Sequence, residues 1–310
     1  MATLYSQAEN NIRKTFALIF VFALVIIFLG WLFGQIFDSS FFVYCAVFIS
    51  IIMSFSSYWY SDKIVLKTTG AEPIEKQDNP ELYRLVENLC ISAGLPMPKI
   101  YILNEAQPNA FATGRDANHA AIAVTQGLLA RLERVELEGV IAHELSHIRN
   151  RDILLETVAV VLAGSISILS DFFLRSGMRG SQDRENNNPI LIIIGILAAI
   201  LAPLAANLLK LAIGREREFL ADASGALLTR YPEGLARALE KISSDPNTME
   251  HTNSAVAHLY ISSPFRREQG ETWLVKLFMT HPPVEERIAA LRGMRLTERE
   301  EDNLIETYNK

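Results

Sequence analysis

The chain has 310 residues, of which 50% are hydrophobic and only 21% charged, against about 25% charged in a typical globular protein. That is too apolar for a disordered scaffold, and a formal net charge of −6 offers no basic footprint for a nucleic acid. Cys45 and Cys90 are the only cysteines, so neither a disulfide framework nor a thiolate metal site is expected.

In chain order, the first feature is an uncharged apolar run over residues 15–34. As a helix rising about 1.5 Å per residue, it is long enough for a hydrocarbon core of roughly 30 Å. A second run, residues 41–60, follows after a short turn and ends in Tyr58-Trp59-Tyr60, an interfacial aromatic belt. Two further runs, residues 153–173 and 190–213, flank a polar turn and read as a second hairpin. A pair of buried helices in a soluble core is the competing reading for these two. Glu156, an acid in the third run, lies one turn from Asp152 and is expected at the membrane interface. Basic residues cluster at one set of span ends (Arg13 and Lys14, Lys63 and Lys67, Lys210, Arg215 and Arg217) and put that side in the cytoplasm. Arg175, Arg179 and Arg184 in the second turn run against that rule.

The remaining stretches, 61–152 and 214–310, read as one catalytic domain interrupted by the second hairpin, with residues 1–60 as the N-terminal hairpin. Asn79-Pro80 opens a helical pattern that Gly94 ends, and Lys99–Leu103 and His119–Thr125 have the short, β-branched look of strands. His119 reads as structural, and His251 and His258 fall in a polar stretch expected to be mobile beside the cleft. The fold class is therefore α+β, mainly α, with four membrane helices in two hairpins.

The strongest chemical signal is His143-Glu144-Leu145-Ser146-His147 within a helical pattern. Four residues is just over one turn of about 3.6, so both imidazoles project from one face and can grip one ion. Glu144 is offset by about 100°, placed to touch a water on that ion. This is the zincin arrangement: two histidines on zinc and a carboxylate as general base. The residues after His147 contain no G-x-x-H, so a third histidine in the metzincin manner is ruled out. An acid from further along must serve, and Glu218 is the leading candidate, with Asp222 one turn later able to accept a hydrogen bond from a ligand imidazole. Glu216 is its rival, and the two cannot share a face.

His143-Glu-Leu-Ser-His147, Glu218-Phe-Leu-Ala-Asp222, Asn109-Ala-Phe-Ala-Thr-Gly114 and Thr280-His-Pro-Pro-Val-Glu-Glu-Arg287 together resemble the HtpX-type membrane metalloproteases, heat-shock-linked relatives of the CAAX prenyl proteases. The resemblance extends over nearly the whole chain. It implies a zincin-like domain holding one Zn2+ through His143, His147 and Glu218, with Glu144 as the catalytic carboxylate. It also implies a multi-pass protein of the cell membrane, a cytoplasm-facing site, and a stress role in cleaving misfolded or damaged membrane proteins or other unfolded polypeptides. Within that reading His281 is the candidate oxyanion donor, a helix-capping turn residue being the alternative. Residues Asn109, Ala110, Phe111 and Ala112 resemble the edge strand on which such proteases lay an extended substrate, an ordinary internal strand being the alternative. Two rivals are a prenyl-peptide protease, which has more spans, and a zinc-binding scaffold without activity, against which Glu144 argues.

Overall fold

The computed structural model describes residues 4–180, 214–249, 256–264 and 282–294. The expected fourth span and His281 lie outside them.

The chain begins with a helical hairpin, α1 (Leu4–Ile36) and α2 (Phe41–Trp59). Leu18, Phe22, Ile26 and Leu29 form the inward stripe of α1, while Phe16, Phe20, Leu24 and Phe28 repeat every fourth residue on its outer face and are exposed. Only 22% of the apolar window in α1 and 17% in α2 is buried. A core helix of a soluble protein hides most of its apolar surface, so these outward aromatic and aliphatic stripes suit contact with lipid. Gly30 lets the two helices close up, since a Cβ there would sit 2.2 Å from that of Ala46.

Next come α3 (Ser61–Thr69), β1 (Glu72–Pro73) and α4 (Pro80–Ala93). Asn79 caps α4 by accepting from the Leu82 N–H at 3.0 Å, Pro80 occupies its first turn, and Gly94 ends it in the left-handed region at φ 67°. Strands β2 (Lys99–Leu103), β3 (Ala110–Gly114) and β4 (Ala120–Thr125) complete a four-stranded sheet of order β1-β2-β4-β3. β2 runs parallel to β4, and β3 pairs antiparallel with β4 in the register Ala110↔Val124 and Ala112↔Ile122. Among the described residues β3 is thus an edge strand, with Asn109 just before it. His119 sits in a short 3₁₀ turn just before β4, its ring 2.8 Å from Asp116.

After α5 (Gln126–Arg131) comes α6 (Arg134–Asn150), whose start is fixed by the Glu133 N–H donating to Glu136 Oε2 at 2.8 Å. Arg151 ends α6 in the left-handed conformation, φ 57°, and α7 (Asp152–Gly180) departs at once in a new direction. The opening turns of α7 are core: Ile153, Leu154, Leu155, Val158, Ala159 and Leu162 are buried. All but Ile153 pack with Leu18 and Phe22 of α1 and Phe111 of β3 in one apolar cluster, while Ile153 belongs to the cluster on the other side. Glu156 therefore lies inside the protein, 8% exposed, a burial that its place in the apolar run did not announce. Among the described residues, α1 and α2 alone are long and apolar enough to cross a membrane.

The later part of the chain supplies α8 (Arg215–Thr229), α9 (Pro232–Ser243), a 3₁₀ turn at Val256–Leu259 and α10 (Val284–Gly293). α6, α4, α9 and the sheet enclose a second apolar cluster around Val86, Ile122, Ile141 and Leu239. His258 is buried in the 3₁₀ turn, 6% exposed, so the polar look of its surroundings is misleading.

Candidate metal centre and active site

His143 and His147 lie on one face of α6, both buried, and point their Nε2 atoms toward each other at 3.1 Å. α8 crosses α6 with Glu218, Ala221, Asp222, Gly225 and Ala226 turned inward. The contact is close because Gly225 has no side chain: a Cβ there would lie 2.9 Å from the His143 backbone N. Glu218 consequently reaches the histidines, its Oε2 3.9 Å from His143 Nε2 and its Oε1 3.7 Å from His147 Nε2. The three donor atoms lie within 4.8 Å of one another. Glu216 is exposed on the other side of α8.

The donor set suits a divalent cation. Ligands at about 2.0–2.1 Å from a tetrahedral zinc stand roughly 3.3 Å apart; the two nitrogens are 3.1 Å apart, and each has one of the two Glu218 oxygens at 3.7 or 3.9 Å, near that spacing. Two imidazole nitrogens facing across a buried gap also need something positive between them. Burial pulls the His147 pKa down, but its hydrogen bond to Asp152 and the charges of Glu156, Glu218 and Asp152 override this and lift it to about 10. The pocket is electronegative enough to hold a positive charge.

Both histidines carry a carboxylate on the nitrogen away from the centre. His143 Nδ1 is 2.9 Å from Asp222 Oδ1, and His147 Nδ1 is 3.1 Å from Asp152 Oδ2. Such partners set the tautomer and orientation of a ligand imidazole. Asp222 is gripped in turn by Arg287 of α10, which donates from Nε to Oδ2 at 2.8 Å and from Nη2 to Oδ1 at 2.7 Å. Arg287 Nη1 also donates to the Ile261 carbonyl at 3.1 Å and lies 3.3 Å from Glu218 Oε2. Burial acts to raise the Asp222 pKa, but the charge and hydrogen bonds of Arg287, with His143 behind them, hold it below the usual carboxylate range.

Glu144 stands beside the donors, buried, with the Ala112 backbone N–H of β3 donating to its carboxylate. Burial is the main cause of its raised pKa and Glu218 adds to it, while the two histidines and the Ala112 N–H oppose it. A carboxylate shifted in this direction holds a proton more readily than a solvated one, as a general base that must also return the proton requires. Ala112, His143, Glu144, His147, Glu156, Glu218, Leu259 and Ile261 line a cavity of about 10 Å³, the room of one water or ion.

Of the four residues expected to hold substrate, only Ala112 lines this cavity. Ala110 O accepts from the Ile261 N–H at 3.0 Å, and Asn109 Nδ2 donates to Ser262 O at 2.9 Å. Phe111 packs edge-on to Tyr260 with ring centroids 5.1 Å apart. The outer edge of β3 is thus taken at this end by residues 261–262. Asp152, Glu156 and Arg287 are site residues that sequence reasoning missed. Arg287 had a signal, since it closes the Thr280–Arg287 motif.

A buried His–His–Glu cluster with a second glutamate at its side defines a hydrolase of the metallopeptidase class. Residues 76–295 match the profile of peptidase family M48. The chain is 47% identical over 302 residues to the protease HtpX homolog of Thermoanaerobacter pseudethanolicus, spanning 95% of this chain and 99% of that one. It is 45% identical, with the same shares covered, to the protease HtpX homolog of Caldanaerobacter subterraneus subsp. tengcongensis. The crystal structure of S. mikatae Ste24p is similar over 93% of this chain and 67% of that one, at 21% identity and a TM-score of 0.48. The chain belongs to peptidase family M48 and is a membrane metalloprotease of the HtpX type.

Proposed function

We propose that the protein is a zinc endopeptidase of the cell membrane that cleaves misfolded or damaged membrane proteins at the membrane face, in a stress-linked quality-control role. The observation that carries the catalytic reading is the convergence of His143, His147 and Glu218 donor atoms within 4.8 Å, with Glu144 on the wall of the same cavity.

Borderline nitrogen donors with one carboxylate favour zinc over calcium or magnesium, which prefer oxygen. Bound there, zinc would acidify a water and polarise the scissile carbonyl. Glu144 takes the proton of the attacking water and returns it to the leaving amine, a cycle its raised pKa suits. Asp222 and Asp152 keep the ligand imidazoles oriented, and Arg287 keeps Asp222 charged and in place. His281 is assigned to the oxyanion on its motif alone. An extended substrate adds to the outer edge of β3 through the backbone of Ala110 and Ala112, with Asn109 and Phe111 flanking that edge. This requires residues 261–262 to give way.

The cytoplasmic orientation rests on the basic span ends. Asn11, in the first turns of α1, contacts Asn150 and Asp152 beside the site, so the site lies at the same membrane face as Arg13, Lys14, Lys63 and Lys67. Four spans in all remain part of this proposal, with residues 153–173 and 190–213 as the second hairpin.

Metal content and proteolysis of an unfolded membrane protein in detergent test the reading. Glu144→Gln should keep zinc and fold while losing cleavage by about 10²-fold or more. Glu218→Ala should lose the zinc. Cleavage by Glu144→Gln at the parental rate sinks the mechanism, and full zinc retention by Glu218→Ala sinks the ligand set.

A further inference from the structure

The two ligand histidines are supported in parallel, but from different parts of the molecule. On the His143 side the carboxylate is Asp222, and its donor is Arg287, from the soluble segment. On the His147 side the carboxylate is Asp152, fully buried at the first residue of α7. Its donor comes from α1, the first membrane helix. Asn11 Nδ2 donates to Asp152 Oδ1 at 2.7 Å and to the Asn150 carbonyl at 3.1 Å. The other oxygen, Oδ2, faces His147 Nδ1 at 3.1 Å.

The placement is specific. The N-terminal turns of α1 are polar, and Asn10, Arg13 and Lys14 point to solvent. Asn11 and Thr15, one turn apart, turn inward instead, 3% and 0% exposed. Among the described residues Thr15 bonds back to its own helix, donating to Asn11 O at 2.8 Å, whereas Asn11 reaches across to the end of α6 and the start of α7. A buried carboxylate needs a donor at each oxygen. With His147 on one and Asn11 on the other, its plane is set, and so is the imidazole it orients.

We propose that Asn11 is a positioning residue for the metal centre, acting through Asp152 on His147, so that the first membrane helix is a working part of the site as well as an anchor. The inference rests on the metal-centre reading given above.

The test uses the full-length protein in detergent, stripped with a chelator and titrated with zinc, and with cobalt as a spectroscopic probe of ligand geometry. Asn11→Leu removes the donor at similar size, and Asn11→Ala is a milder variant whose space a water can fill. Thr15→Val is the control for loss of a polar group on the same face. Loss of an outer partner of a ligand weakens metal binding by about 10–100-fold. The expected result is that drop in Asn11→Leu, a smaller one in Asn11→Ala, altered cobalt absorption in both, and parental values in Thr15→Val. Parental zinc affinity and cobalt spectra in folded Asn11 variants overturn the proposal while leaving the metal centre intact. An equal loss in Thr15→Val overturns it as well, by tracing the effect to helix packing. If the parent binds no zinc, or keeps it after Glu218→Ala, the metal-centre reading itself fails and this inference with it.

Discussion

Asp222 meets two demands at once: it must stay ionised while buried, and it must keep His143 oriented. Arg287 answers both with a two-point hydrogen bond at 2.7 and 2.8 Å. Because the folded-state pKa lies below the unfolded value of about 3.9, the pair stabilises the protein fully above that value. The contribution is lost as pH falls from about 4 through the lower folded pKa. Asp222→Asn should remove this acid limb, and it leaves Arg287 buried beside only part of its counter-charge, at a cost of about 3 kcal/mol or more near neutral pH. Denaturant unfolding between pH 2 and 7, with chelator present so that metal release does not intrude, reads both effects. A variant as stable as the parent at pH 7, or with the same acid slope, contradicts the arrangement.

At the level of helices, the centre depends on how closely α8 lies on α6, and Gly225 sets that distance. A methyl group there would meet the His143 backbone N at 2.9 Å and His143 Cα at 3.2 Å, atoms that cannot move without carrying the ligand along. Gly225→Ala should therefore cost about 1–3 kcal/mol through overpacking and weaken zinc binding, because Glu218 lies on the helix that is pushed away. Gly293→Ala, at the end of α10 where a Cβ meets nothing within 4 Å, is the matched control and should be neutral or slightly stabilising. Thermal midpoints and bound zinc measured on both variants decide it; equal behaviour means the α6–α8 contact is not what positions Glu218.

The same contact explains what could be read in advance. His143 and His147 were legible because a helix has a fixed pitch, and Glu218 and Asp222 because four residues along another helix again share a face. β2 and β4 were legible from their β-branched runs. Arg287 was legible only as the end of the Thr280–Arg287 motif, since in Val284-Glu285-Glu286-Arg287 its charge alone looks solvated. Only the approach of α10 to α8, bringing together residues 65 apart in sequence, makes it a buried counter-ion. Glu156 and Asp152 were hidden for the converse reason. An acid at the edge of an apolar run suits an interface equally well, until the left-handed turn at Arg151 aims α7 across the site.

Across the whole molecule, the N-terminal hairpin has two faces, one exposed and apolar and one packed on the rest of the chain. Its inner stripe, Leu18, Phe22 and Ile26, joins the cluster that contains Leu154 and Val158 of α7 and Phe111 of β3. Two residues of its outer stripe stand well clear of the protein: Phe20 is 63% and Leu24 51% exposed. Arginine at both outer positions should leave the inner packing and the metal centre untouched. Each charge near the middle of a span adds about 3 kcal/mol to the cost of placing it in hydrocarbon, so the pair adds roughly 6 kcal/mol. If the hairpin lies in a bilayer, Phe20→Arg with Leu24→Arg should lower the share of the chain in the carbonate-resistant membrane fraction to what the second hairpin alone retains, while arginine at the exposed, already polar Asn10 changes nothing. If the hairpin instead faces water, the double variant stays in the same fraction as the parent and gains solubility, because two exposed apolar side chains have been replaced by charges.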